Sequence, residues 1–396
     1  MPLAEPIVRI AARGDGVTAS GRYAEFAAPG DLLHEDGRIE PGPNRQSPPC
    51  RHFPECGGCQ LQHLTDEAYR TYLTDRVAGA LAQHGLSAEL RDPHLSPPNS
   101  RRRATLRALK AGGHVLVGFN AAKSHRIVDM RENYILAPEL LALLDPLRGL
   151  LSLMLPPRRT AEVHMTLADQ GVDLALSGVE AAGLEAAEAV TAFGESNRLA
   201  RLSLDEGYGA EARYEPEPAT VTLSGVPVAL PPGAFLQATS DGEAALVAAV
   251  GEAVAESKRT ADLFAGLGTF AFALGGKITA AEASRHVVLA MSTAARRAGR
   301  PIVAEHRDLY RRPYDSSELS GFEAVVLDPP RAGAEEQVRQ LAASPVPGIA
   351  YVSCNPATFA RDAAILVSGG YRLEWARPVG QFRWSTHVEL AACFSR

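Results

Sequence analysis

Cysteine is scarce in this chain, with five in 396 residues. That is too few for a disulfide scaffold. No apolar stretch approaches the length needed to cross a bilayer. The opening Met1-Pro2-Leu3-Ala4-Glu5-Pro6 lacks the charged start and apolar core of a secretion signal. A cytoplasmic protein without membrane contact is therefore expected. There is no internal repeat, which argues against a solenoid or propeller. There is also no excess of positive charge: the formal net charge is −6, so the whole-chain balance gives no sign of a nucleic-acid partner. What remains is a composition of 46% hydrophobic and 22% charged residues, as in soluble globular proteins. The length predicts two or three domains.

The scarce features are unevenly placed. Between Arg91 and Arg159 there are twelve Arg/Lys against five Asp/Glu. Phosphate binding depends on such local patches, although a solvated basic face reads the same way. Three of the five cysteines fall in Cys50-X5-Cys56-X2-Cys59. Thiols this close have the spacing of metal or cluster ligands; the alternative is a set of unrelated reduced thiols.

Proline-rich stretches at 41–49, 93–100 and 156–157 punctuate the chain. Residues 5–33 contain about three short strands broken by Gly turns, the pattern of a small β-barrel fragment. Residues 64–84 predict a helix with Leu73, Val77 and Leu81 on one face and Gly85 as its stop. From 102 to 225, strands such as 114–119 and 171–176 alternate with helices such as 183–193. After about Gly225, helices and strands alternate to the C-terminus, beginning with a helix over 242–257, which argues for a parallel sheet covered on both faces. The expected organisation is a β-barrel fragment over 1–45 and a cysteine segment with its helix over 46–90. An α+β domain over 91–225 and an α/β domain over 226–396 follow.

The α/β part carries the chemistry. The apolar run 348–353 delivers Cys354 into Asn355-Pro356, and the run 323–327 ends in Asp328-Pro329-Pro330-Arg331. An apolar strand stopped by a polar residue and a proline places that residue at the carboxyl edge of a sheet, where open α/β sheets bind ligands. Cys354 is thus a candidate nucleophile, beside the alternative of a buried structural thiol. The strand 259–264 runs into Phe264-Ala265-Gly266-Leu267-Gly268-Thr269-Phe270 and then an Ala-rich run expected to be helical. Glycines at such a turn admit a cofactor close to the backbone. Asp262 leads them by four positions, Glu282 ends the next strand (277–281), and Asp308 follows a third (301–304). A carboxylate at Glu282 can hold two ribose hydroxyls, and Asp308 sits where an adenine contact is expected. These features favour S-adenosylmethionine over a nicotinamide dinucleotide.

Together, the cysteine cluster, Gln237, the Asp262 turn, Asp328-Pro329-Pro330-Arg331, Ser353-Cys354-Asn355-Pro356 and His387-Val388-Glu389 resemble the S-adenosylmethionine-dependent RNA uridine C5-methyltransferases. The cysteines are most similar to the branch that acts on 23S ribosomal RNA and carries a [4Fe-4S] cluster. The resemblance covers most of the chain. It implies a Rossmann-like class I methyltransferase domain of mostly parallel sheet, with an α+β RNA-binding middle domain and a short N-terminal TRAM-like β-barrel. It implies Cys354 as the nucleophile toward uracil C6 and Glu389 as the base for the C5 proton. It implies cofactor contacts at Gln237, Phe264, Thr269, Glu282, Asp308 and Asp328, cluster ligands at Cys50, Cys56 and Cys59, and a monomer acting on RNA. A target uridine must be turned out of its stack to reach the thiol.

Two features depart from that pattern. Where the family has a fourth cysteine, this chain has Asn133. A cluster with a non-cysteine ligand such as Asn133, zinc with His52 or His63, and a vestigial site remain as alternatives. The barrel region is also short. A transfer-RNA uridine methyltransferase and a non-catalytic RNA-binding protein with a metal site are the competing functions.

Overall fold

The computed structural model describes residues 4–181, 183–207 and 209–396. A nine-stranded sheet dominates its C-terminal half. Five parallel strands run in the spatial order Ile302–His306, Lys277–Glu282, Arg259–Leu263, Ala324–Leu327, Gly348–Ser353. Glu389–Ser395 follows, antiparallel to Gly348–Ser353, and then Arg372–Gly380, antiparallel in turn. The short strands Glu89–Leu90 and His94–Leu95 pair with Arg372–Gly380 at that edge. Every residue of Ala324–Leu327 is buried, because helices cover both faces of a parallel sheet and leave no solvated side for alternating polar residues. The chain order reverses between Arg259–Leu263 and Ala324–Leu327. That reversal opens a crevice at the carboxyl ends of the strands.

Helix Asp66–Ala82 lies on one face of this sheet. Thr65 caps it by accepting the Ala68 N–H at 3.3 Å, and Gly85, at φ 69°, follows its end. Its face of Tyr69, Leu73, Val77 and Leu81 is buried in the same core as Phe359 and Phe394. Burial of each such side chain is worth about 2 kcal/mol. The opposite face is covered by helix Ser240–Ala253, through Leu246 and Val250 against Val326 and Val352.

The middle of the chain forms a six-stranded sheet in the order Ala210–Tyr214, Arg201–Asp205, Gly171–Ser177, Thr160–Ala168, Arg103–Ala111, His114–Gly118. Helices Leu144–Met154 and Gly183–Ser196 pack on it through Leu147, Leu151, Val190 and Phe193. The N-terminal sheet has five short strands, not three. Leu32–Leu33 and Ile39–Glu40 are additional, and at two residues each they are too short to show a period in the sequence. The Ala-rich run after Phe270 is not a helix but a series of tight turns. The Phe272 N–H bonds the Gly268 carbonyl at 2.9 Å and the Leu274 N–H bonds the Phe270 carbonyl at 3.0 Å. Left-handed backbone at Phe264 (φ 64°), Gly266 (φ 55°) and Gly268 (φ 94°) leaves too little chain before Gly275-Gly276 for a regular helix.

Candidate active site

The antiparallel neighbour of Gly348–Ser353 sets the central juxtaposition. Ser353 pairs with Leu390, and the same register carried one residue further sets Cys354 opposite Glu389. Cys354 leads directly into helix Pro356–Ser368, whose N-cap Asn355 accepts the Ala357 N–H at 3.1 Å and whose proline occupies the first turn. Asn355 Nδ2 and Thr358 Oγ1 also donate to the Arg331 carbonyl, at 3.0 and 3.2 Å. The Pro329-Pro330-Arg331 loop is thereby tied to the loop that carries the thiol.

A cavity of about 540 Å³ opens at this edge, and its wall includes Gln237, Phe264, Thr269, Glu282, Asp308, Asp328, Cys354 and Glu389. The volume suits a ligand the size of a nucleoside. Glu282 is oriented by two backbone donors: Oε2 accepts from Gly266 at 3.1 Å and Oε1 from Ser284 at 2.8 Å. Asp308 Oδ1 accepts the Tyr310 N–H at 3.0 Å, and the centre of the Tyr310 ring lies 5.5 Å from that of the Phe264 ring. Gln237 Nε2 donates to Asp328 Oδ2 at 3.2 Å.

The site concentrates carboxyl groups away from water. Burial pushes Asp328 up to about 7. Burial and then the nearby Asp328 charge push Glu389 up to about 8, against the pull of Gln381, Arg103 and Arg331. Asp262 is fully buried with both carboxyl oxygens unpartnered, and burial with the Asp328 charge raises it to about 8. Burial, then Glu389 and Asp328, hold the Cys354 thiol up at about 11. Carboxyl groups raised toward neutrality beside a thiol are suited to general acid–base and covalent chemistry.

Several site residues escaped the sequence reading. Arg103, at the start of a middle-domain strand, reaches into the same cavity. Its guanidinium lies 4.5 Å from the centre of the Phe235 ring, and its Nε has no partner. Arg101 lies over Phe382 at 5.1 Å, and burial, then Arg103, lowers it to about 10. Three consecutive arginines opening an alternating strand were the available signal. His387 also lines the cavity, and burial, then Arg331 and Arg101, keep it below the usual histidine range. The local surplus of positive charge is largely neutralised. Arg91, Arg102, Arg107, Lys123, Arg126, Arg131 and Arg148 are ion-paired. Arg101, Arg103, Lys110, Arg158 and Arg159 have no acidic partner among the described residues.

Cys50, Cys56 and Cys59 line one small cavity with Asn133. Burial raises all three thiols, Cys59 to about 12. Asn133 does not complete a ligand set. Its Oδ1 already accepts the N–H groups of Ile135 (2.9 Å) and Leu136 (2.8 Å), and its Nδ2 donates to Met130 Sδ. His52 Nε2 accepts the Arg131 N–H at 3.2 Å. His63 is stacked on Phe53, lowered to about 4 by burial, and absent from the cavity wall. Among the described residues, no group of three or more His, Cys, Asp or Glu is arranged to hold a metal ion. Neither the Asn133-completed cluster nor the zinc alternative fits the residues present. No described helix is long and apolar enough to cross a membrane.

Comparison with known proteins agrees with this geometry. The family described as tRNA (Uracil-5-)-methyltransferase matches residues 303–396. A protein of Zymomonas mobilis named as an RNA methyltransferase is 51% identical over 98% of this chain and 99% of its own. The 23S rRNA (uracil(1939)-C(5))-methyltransferase RlmD of Halomonas elongata is 34% identical over 91% of this chain and 78% of its own. In fold, the chain is similar to the Pyrococcus abyssi tRNA (uracil-54, C5)-methyltransferase solved with S-adenosyl-L-homocysteine, with a TM-score of 0.77, 22% identity and 99% of each chain covered. The chain belongs to the S-adenosylmethionine-dependent RNA (uracil-5-)-methyltransferases.

Proposed function

We propose that the protein, a cytoplasmic monomer, methylates C5 of one uridine in 23S ribosomal RNA through a covalent adduct on Cys354. The observation that carries this reading is the register that sets Cys354 opposite Glu389 on the wall of one cavity. C5 of uracil is too weak a nucleophile to take a methyl group unaided. Addition of Cys354 Sγ to C6 makes C5 enolate-like. C5 would then attack the methyl carbon of S-adenosylmethionine, releasing S-adenosylhomocysteine; Glu389 takes the C5 proton, and the Sγ–C6 bond breaks to return the thiolate.

The electrostatics fit this sequence of steps. A thiol held high by surrounding carboxylates is quiet in the free enzyme. A cationic methyl donor bound against the wall that carries Asp328 and Glu389 would oppose their charge and favour ionisation of Cys354. Glu282 would hold the ribose hydroxyls and Asp308 the adenine. Gln237, Phe264, Thr269 and Asp328 would line the methionyl and sulfonium end. Arg103, aimed at the cavity from the segment 91–225, would contact the target nucleotide. Arg101, Lys110, Arg158 and Arg159 are the cations available for RNA phosphates. The cysteine segment takes no part in these steps.

The ribosomal target rests on the likeness to the Halomonas enzyme. The matched family's description, which prints tRNA, favours a transfer-RNA target as the second reading. Mapping 5-methyluridine in ribosomal and transfer RNA from cells with and without the gene separates them. Cys354→Ala tests the chemistry: methyl transfer should be abolished while cofactor binding by calorimetry survives. Wild-type turnover in that variant ends the mechanism.

A further inference from the structure

Behind the cavity wall, two side-chain amides stand in series. Gln381 follows strand Arg372–Gly380 and is only 1% exposed. Its Oε1 accepts the backbone N–H of Ala238 at 2.9 Å. A backbone N–H can only donate, so this bond fixes which end of the Gln381 amide is oxygen. The NH2 end therefore faces Gln237 and donates to Gln237 Oε1 at 2.8 Å. Gln237 is in turn forced to present its own NH2 to Asp328, at 3.2 Å, on the cavity wall. Gln381 also favours the charged form of Glu389, opposing the rise in its pKa. Space is tailored to the arrangement: a Cβ on Gly242 would lie 2.8 Å from the Gln381 Cβ.

We propose that Gln381 is a positioning residue that sets the polarity of the active site. It makes Gln237 a hydrogen-bond donor toward Asp328 and the ligands bound beside it. Gln381 is not on the cavity wall, so it acts only through Gln237 and Glu389. The inference rests on the reading of Glu389 as the base.

The other charged and titratable groups facing Glu389 are Asp328 from the adjoining strand end, Arg331 from the loop after it, Arg103 from the middle domain, and the Cys354 thiol. Their net effect is a base that must lose its proton before it can act, so turnover rises with pH through the Glu389 pKa. Removing the Gln381 donor moves that rise to higher pH.

The test compares kcat against pH for wild type, Gln381→Glu, Gln381→Met and Glu389→Gln, with thermal unfolding of each. In Gln381→Glu, the new carboxylate still accepts from Ala238, but Gln237 must turn its NH2 toward it. The rise in kcat should move up by about one pH unit. kcat at neutral pH should fall about tenfold or more, and the KM for S-adenosylmethionine should rise with it, because the Gln237 oxygen then faces Asp328 and the cofactor. Gln381→Met should shift the rise in the same direction and also unfold earlier, because the Ala238 N–H loses its partner. A drop in thermal stability without a moved pH profile in either variant reduces Gln381 to a packing residue and overturns the proposal. If instead the pH-dependent rise survives in Glu389→Gln, the assignment of the base falls, and that outcome is read independently of the Gln381 variants.

Discussion

Asp262 is a buried carboxyl group that costs stability at neutral pH. It is 0% exposed, and neither carboxyl oxygen has a hydrogen-bond partner. The nearby backbone N–H of Ala271 favours its charged form without reaching hydrogen-bond geometry. Burial and the Asp328 charge raise it from 3.8 to about 8. Below pH 4 the carboxyl is protonated in both the folded and unfolded chains and the shift has no effect. As pH rises, the unfolded chain releases the proton first, so stability is lost between pH 4 and pH 8 and is level above that. At pH 7 the difference is about three pKa units, or about 4 kcal/mol at most. Asp262→Asn removes the ionisation from both states. The expected result is a gain in unfolding free energy that is near zero at pH 4 and grows to a few kcal/mol at pH 7. Urea unfolding at a series of pH values measures it directly. A gain of the same size at both ends of the range, or a loss at pH 7, would refute the reasoning. The same variant should bind S-adenosylmethionine more weakly, because a carboxyl group that a cation can ionise has been replaced by a neutral amide. Buried groups kept in an unfavourable state at a ligand site are a recurrent stability–activity trade.

Glu389→Gln should stop the reaction after methyl transfer, and a band of protein covalently bound to RNA on a denaturing gel is the expected sign; its absence removes Glu389 from the role of base. Arg103→Ala should raise the KM for RNA about tenfold, the scale of one charge-assisted hydrogen bond, with the KM for S-adenosylmethionine nearly unchanged; equal effects on both would make Arg103 a general scaffold residue. Asn133→Cys should let the protein take up iron and sulfide on anaerobic reconstitution, with a visible absorption band that the wild-type chain lacks. A wild-type chain that binds four irons would show that the cap made by Asn133 yields to the metal.

The parts of the site that were legible in the sequence share one property: each is signalled within a few residues of itself. Cys354 and Asp328 follow apolar runs and precede prolines, so the end of a strand is written beside them. Glu282 and Asp308 are found by their places at or after the ends of the next two strands. Arg103 and Gln381 carry no such mark. Arg103 matters because a strand of the six-stranded sheet begins at the mouth of a cavity in the nine-stranded one. Gln381 matters because its amide lies against Ala238 and Gln237, more than a hundred residues earlier in the chain. Periodicity also misled where backbone geometry overrode composition. The Ala-rich run after Phe270 has high helix propensity, yet the left-handed residues that open space for a cofactor leave it no room to form a helix.

The same contrast explains why the cysteine segment resisted interpretation. Cys50-X5-Cys56-X2-Cys59 looks complete as a local motif, and its three thiols do share a cavity. Whether such a motif can bind a cluster is decided seventy residues away, at Asn133. There a carbonyl oxygen has taken over the job of holding the turn by accepting from Ile135 and Leu136. Cys50 and the loop after it are further tied by polar contacts that need no metal, from the Cys50 N–H to Gln62 and from the Arg51 N–H to Glu132. The loop that would need a cluster for its shape already has its hydrogen bonds made. Retention of the thiols is then no sign of a bound metal, and the fold of the neighbouring catalytic sheet is not expected to depend on one.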